Sequence, residues 1–285
     1  MLRALLSIAA CAACVTLASA QERAYFVAYD HHMEEPGSLE LSLNPVFGHP
    51  EGGNAFAAAW LEVEYGLAGW WTSELYLTGQ TTRDESTLFT GWRFENRFRI
   101  LDGDRPVNPV LYVEYEDGPG AAKTVQEVVG FDNQEDLAAP NAESSQRTEQ
   151  EVELKLILGS DVGGWNVSEN AIAVKSLHGE PWEFGYALGA SRPLALAASP
   201  APCRFCLENF RVGAELYGGL GEQGNLTLSG TSHYLAPVVS WEVGKATTLR
   251  LSPAFGLTSS SAPLLLRIGF TYEFGNVGPR IGGWR

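Results

Sequence analysis

The strongest constraint in this chain is an alternation through its last long apolar stretch, residues 263–274. Leu264, Leu266, Ile268, Phe270, Tyr272 and Phe274 are apolar or aromatic, and Arg267, Gly269, Thr271 and Glu273 between them are polar, charged or small. Only Leu265 breaks the pattern. A period of two marks a β-strand with one apolar and one polar face. The same alternation begins at Gly37, and twelve such segments can be counted from there to Phe274. Residues 87–100 are the most telling. Leu88, Trp92, Phe94 and Phe98 share one face, and Gly91, Arg93, Glu95, Arg97 and Arg99 share the other. Four charges on one face of one strand cannot lie unpaired in a dry core. A hydrated interior with the apolar face turned out to lipid accommodates them.

The expected fold is therefore all-β, a transmembrane antiparallel up-and-down β-barrel of about 12 strands over residues 37–274. An even count suits a single-chain barrel whose ends lie on one side. Alternate connections are short, at Gly66–Gly69, Leu101–Asn108, Gly159–Gly164 and Gly244–Thr247, while the long polar insertion 117–148 falls in the opposite set. Short periplasmic turns and longer outer loops fit this asymmetry, which the 192–207 connection violates. Trp70, Trp71, Trp165, Trp182, Tyr272 and Phe274 sit near segment ends, where aromatic girdles are expected. A soluble β-sandwich or lipocalin-like barrel is the rival, and it leaves the charged inner faces unexplained.

Residues 1–20 read as an export signal, with Arg3 ahead of a weakly apolar run and Ala18-Ser19-Ala20 as a small-residue cleavage site. Residues 21–36 are expected as an N-terminal periplasmic segment and 275–285 as a C-terminal tail. No apolar run is long enough for a membrane-spanning helix. The formal net charge of −15 argues against nucleic acid and favours cations as partners.

The run Arg267-x-Gly269-x-x-Tyr272-x-Phe274 resembles the C-terminal assembly signal of bacterial outer-membrane β-barrels. With the alternation and the turn asymmetry, residues 37–274 resemble that class, and within it the porin-like channels grouped with phenol-degradation-pathway outer-membrane proteins. The resemblance implies a place in the bacterial outer membrane among lipid and lipopolysaccharide, recognition by the barrel-assembly machinery, and passive movement of small solutes.

Arg93, Glu95, Arg97, Arg99, Glu114, Glu116, Glu151, Glu153, Arg211, Glu215, Arg250 and Arg267 occupy the polar faces and are the lumen-lining candidates. Such a set either tunes a cation-preferring pore or fills a non-conducting barrel that acts through the 117–148 loop. No catalytic or cofactor-binding motif is present, and His49, His178 and His233 have no serine brought to them by spacing. Residues 30–35 read as a polar linker in which His31, His32 and Met33 are the candidates for a metal ion. Cys203 and Cys206 are expected to form a local disulfide, because zinc would need two further ligands.

Overall fold

The computed structural model describes residues 24–119, 122–146, 148–201, 203–275 and 277–279. The export signal of residues 1–20 lies outside them. Twelve long strands form the wall: Leu39–Gly48 (β1), Phe56–Ala68 (β2), Trp71–Thr82 (β3), Thr87–Arg99 (β4), Asn108–Pro119 (β5), Thr148–Val162 (β6), Trp165–Ser176 (β7), Trp182–Pro193 (β8), Phe210–Glu222 (β9), His233–Glu242 (β10), Thr247–Gly256 (β11) and Leu264–Phe274 (β12). Each pairs antiparallel with the next, and β1 pairs with β12 from Leu39↔Phe274 to Gly48↔Leu265. The sheet is a closed barrel with no free edge, so every ladder hydrogen bond is made within the wall. A two-residue rung, Asn225–Leu226, extends the β9 hairpin beyond it.

The alternation read from sequence sets the facing. Leu43, Leu111, Leu251, Ile268 and Phe270 are exposed on the outside, while Glu62, Glu74, Glu95, Arg97, Glu215 and Arg267 are buried inside. Leu265 faces inward, fully buried, beside Phe56 and Gly48 at the far end from the termini. The outer segment end there is apolar within, which explains the one break in the pattern of β12. Leu88 corrects the expected phase of β4. Thr78 pairs with Gly91 and Gly79 with Phe89, so Thr90 is an extra residue in a β-bulge. The bulge shifts the alternation by one, turning Phe89 outward and Leu88 toward the lumen.

The turns at Gly66–Gly69, Leu101–Asn108, Gly159–Gly164 and Gly244–Thr247 share one end with the described part of the tail, the periplasmic end in barrels of this kind, but the opposite end also has short turns, at 83–86 and 177–181. The tail folds against the start of the barrel, with Tyr65 Oη donating to the Pro279 carbonyl at 2.6 Å. The long 194–209 connection lies at the same end and packs on β10. Phe205 stacks on Trp241 at 4.9 Å, and Trp241 Nε1 donates to the Arg204 carbonyl at 2.8 Å. Cys203 and Cys206 are disulfide-bonded within it, their Cα atoms 5.3 Å apart. The loop after β5 carries two short helices, Gln134–Ala138 (α1) and Asn141–Ser144 (α2). Asn133 opens α1 with a capping box closed by Asp136.

Candidate functional site

The site is the lumen, and two stretches of chain enter it from opposite ends. The segment expected to stand in the periplasm instead runs inside the wall from Ala24 onward. Ala24 through His31 are all buried. The Glu215 carboxylate on β9 accepts the amides of Phe26 (3.1 Å), Val27 (2.7 Å) and Ala28 (2.7 Å). Arg250 on β11 donates to the Tyr25 carbonyl at 2.8 Å and lies over the Phe26 ring. Tyr29 goes deepest. Its amide donates to Asn170 Oδ1 at 2.6 Å, and its hydroxyl donates to Glu95 at 3.0 Å and meets Tyr76 Oη at 3.1 Å. The Lys155 ammonium sits over its ring at 4.6 Å. The chain then turns back, and Arg97, paired with Glu64 and Glu74, donates to the His32 carbonyl at 3.2 Å.

The loop after β5 enters from the other end. Arg267 Nη2 on β12 donates to the Val125 carbonyl at 2.6 Å, and Val125 is itself held at a positive φ of 52°. Arg93 ties Glu127 of the loop (2.7 Å) to Glu114 (3.3 Å) and Glu116 (2.9 Å) of β5. Burial pushes the Glu127 carboxyl up, but Arg93 and Lys155 outweigh it and hold the group below the ordinary carboxylate range. Lys123 donates to Thr82 Oγ1 at 3.3 Å and to the Ala139 carbonyl at 3.0 Å. Gly185 and Gly219 permit the close approach of Val128 to Gly130, because a Cβ at either would strike the loop backbone. The two stretches meet at mid-lumen, where Tyr25, Phe26, Tyr29 and Gln126 with Trp60, Tyr76 and Arg250 surround a void of only 20 Å³.

A cavity remains on each side of this closure. The outer one, 280 Å³, is lined by ten carboxyl groups, Glu151, Glu180 and Glu183 among them, against one guanidinium, that of Arg93. The inner one, 350 Å³, is lined by six glutamates and the bases Arg97, Arg99, Lys245 and Arg250.

All twelve lumen-lining candidates lie on the inward side of their strands. Glu95, Arg97, Glu215, Arg250 and Arg267 grip the entering chain. Arg93 with Glu114 and Glu116 anchors the loop, and Glu151 and Glu153 line the outer cavity. Arg211 donates to Ser191 Oγ at 3.2 Å near the periplasmic end. Of the proposed assembly signal, Arg267 and Gly269 face the lumen, while Tyr272 and Phe274 lie outside at the rim with rings 4.6 Å apart. Met33 packs on Tyr29, Val110 and Ile157, whereas His31 and His32 turn toward Asp161. The His233 ring bonds Tyr186 Oη (3.1 Å) and Thr231 Oγ1 (2.9 Å), and His49 and His178 lie in outer loops.

Sequence reasoning missed the closing residues 24–29 and 123–129, which have no strand periodicity. A signal existed in β7, whose inward positions include Ile172 and Val174. Apolar side chains pointing into a polar lumen require something apolar to pack against, here the cluster that contains Val128 and Val129.

Neither a protein-family model nor a curated sequence matches the chain. Among solved structures it resembles an outer membrane channel from Pseudomonas putida F1, with a TM-score of 0.54 and 10% identity over 86% of this chain and 98% of that one. It also resembles the KdgM porin, with a TM-score of 0.53 and 8% identity over 82% of this chain and 99% of that one. At such identity the likeness speaks for the fold alone, a closed antiparallel β-barrel of twelve long strands of the porin-like kind.

Proposed function

We propose that the chain is an outer-membrane channel for small solutes that rests closed and prefers cations when open. One observation carries this reading. The closure is made of a terminal segment and a loop rather than of wall strands, and it separates two cavities whose outer member has ten carboxyl groups to one guanidinium. Segments held by hydrogen bonds can leave a wall that stays intact, and an acid-lined mouth concentrates cations through its local potential. The resemblance in fold to an outer membrane channel and a porin supports the same reading. The outer surface is then the lipid and lipopolysaccharide contact, and no catalytic role is assigned.

Planar-bilayer conductance tests it. The intact barrel should carry little current, and deletion of residues 24–35 should open a current whose reversal potential in a salt gradient marks cation selectivity, most strongly at low salt. Absence of current after removal of that segment and of residues 122–146 would make the barrel a non-conducting one. Anion selectivity would mean that the arginines of β4, not the carboxylates, set the constriction.

A further inference from the structure

The segment that closes the inner half of the lumen carries two adjacent histidines whose rings converge on one wall carboxylate. His32 Nε2 is 3.2 Å and His31 Nε2 3.6 Å from Asp161 Oδ2 near the end of β6, and the three donor atoms lie within 4.8 Å of one another. A tetrahedral ion with bonds of 2.0–2.1 Å spaces its ligands about 3.3 Å apart, so the two sides of the triangle that meet at Asp161 already have the spacing of a metal site.

The surrounding residues hold these atoms in place. Asp30 Oδ1 accepts the His32 backbone amide at 2.9 Å and lies 3.2 Å from Nδ1 of the His32 ring, a charge contact without hydrogen-bond alignment that sets a carboxylate beside the imidazole. Asn166 Nδ2 donates to Asp161 Oδ1 at 2.9 Å, which leaves Oδ2 to the histidines. The His31 ring is buried against Gly159, where any Cβ would collide with it. Its Nδ1 is buried without a hydrogen-bond partner. Arg97 and Arg99 donate to the carbonyls of His32 (3.2 Å) and His31 (3.5 Å), fixing the backbone. Their positive charge opposes a cation, and the carboxylates of Asp30 and Asp161 oppose that charge at closer range to the imidazoles.

We propose that His31, His32 and Asp161 bind one divalent transition-metal ion of borderline softness, such as Zn²⁺, which staples the N-terminal segment to the barrel wall. Two imidazoles and a carboxylate suit such ions better than Ca²⁺ or Mg²⁺, which prefer all-oxygen shells. With three protein ligands, a fourth position stays open at the inner cavity, which His32 also lines. The proposal concerns binding and docking and stands whether or not the barrel conducts.

The test uses the untagged full barrel, refolded in detergent and checked for folding by its heat-modifiable gel mobility. CoCl₂ is titrated while the d–d absorption of tetrahedral Co²⁺ is read, and ZnCl₂ is added to displace it. One saturable equivalent is expected, lost in the His31→Ala/His32→Ala double variant and unchanged in His178→Ala. Asp30→Asn should weaken it about 10–100-fold, as removal of an outer-shell carboxylate does. If the double variant fails to fold, Asp161→Asn, nearly isosteric and half exposed, decides the matter by the same readout. Equal Co²⁺ spectra in wild type and variant would overturn the site. Zn²⁺ should also slow proteolysis within residues 24–36, and binding without protection would overturn the staple.

Discussion

Glu215→Gln is the most incisive perturbation of the closure. The Glu215 side chain is fully buried and receives three consecutive amides, Phe26 through both carboxylate oxygens and Val27 and Ala28 through Oε1 at 2.7 Å. Glutamine keeps one acceptor oxygen but is neutral, and its NH₂ group is directed at the Phe26 amide. Hydrogen bonds to an ionised acceptor are roughly twice as strong as neutral ones, so two weakened bonds forfeit about 1 kcal/mol each. A stranded buried amide adds about 1–3 kcal/mol, for a total of about 3–5 kcal/mol against docking. At about 1.4 kcal/mol per tenfold, the docked-to-released ratio should fall by roughly 10² to 4 × 10³. Hydrogen–deuterium exchange of residues 24–36, read by mass spectrometry on the detergent-solubilised barrel, measures this directly. The amides of residues 26–28 should exchange faster by that factor, while those of residues 123–129, held by Arg267 and Arg93 instead, should not change. Equal exchange in wild type and variant would refute the idea that this carboxylate holds the segment.

Three further outcomes bear on the wall. Leu216→Arg, on the outward face midway along β9, should cost roughly 2–4 kcal/mol in urea unfolding from lipid vesicles, and a negligible loss would place that side chain in the lumen. Leu265→Ala should cost about 2–5 kcal/mol by the same assay, because it opens a cavity beside Phe56, and an unchanged midpoint would mean the site collapses freely. Phe274→Ala, at the end of the proposed assembly signal, should slow incorporation into outer membranes in a pulse-chase experiment without changing the refolded barrel's stability by more than about 1 kcal/mol. Normal incorporation kinetics would remove the signal reading.

The wall was legible because every second residue answers to a different solvent. Lipid outside and charge inside leave a period of two that survives even where strands are short, as in β10 with Leu235 and Val239 exposed against Ala236 and Ser240 buried. The slip at Thr90 was not legible, since a bulge changes phase without changing composition, and Leu88 and Phe89 are equally apolar. The closure was hidden for a different reason. The wall holds it mainly through main-chain atoms, the amides of Phe26–Ala28 on Glu215 and the carbonyls of Tyr25, Val125 and His32 on Arg250, Arg267 and Arg97. Main-chain recognition leaves little trace in the side chains of the recognised segment. The arginines and Glu215 could be placed inward from their strands, but their partners could not be named.

The seam between β1 and β12 joins positions as remote as Leu39 and Phe274, the longest sequence separation of any rung in the barrel. Closing so large a loop is entropically the most demanding step of the ladder and is expected late in folding. The inner closing segment leads directly into β1, and the guanidinium that captures the outer loop belongs to β12. The inner filling is thus covalently attached to one lip of the last seam, and the outer filling is hydrogen-bonded to the other. A nascent barrel that zipped this seam with its contents outside would have to thread a polypeptide through a finished rim to reach the native state. Synthesis order favours the productive sequence of events, because residues 24–36 are available before any wall exists and can nest in the growing cup while its edges are still apart. Folding yield, rather than the strength of the finished wall, is therefore where damage to Glu215 or Arg267 would first be felt in a cell.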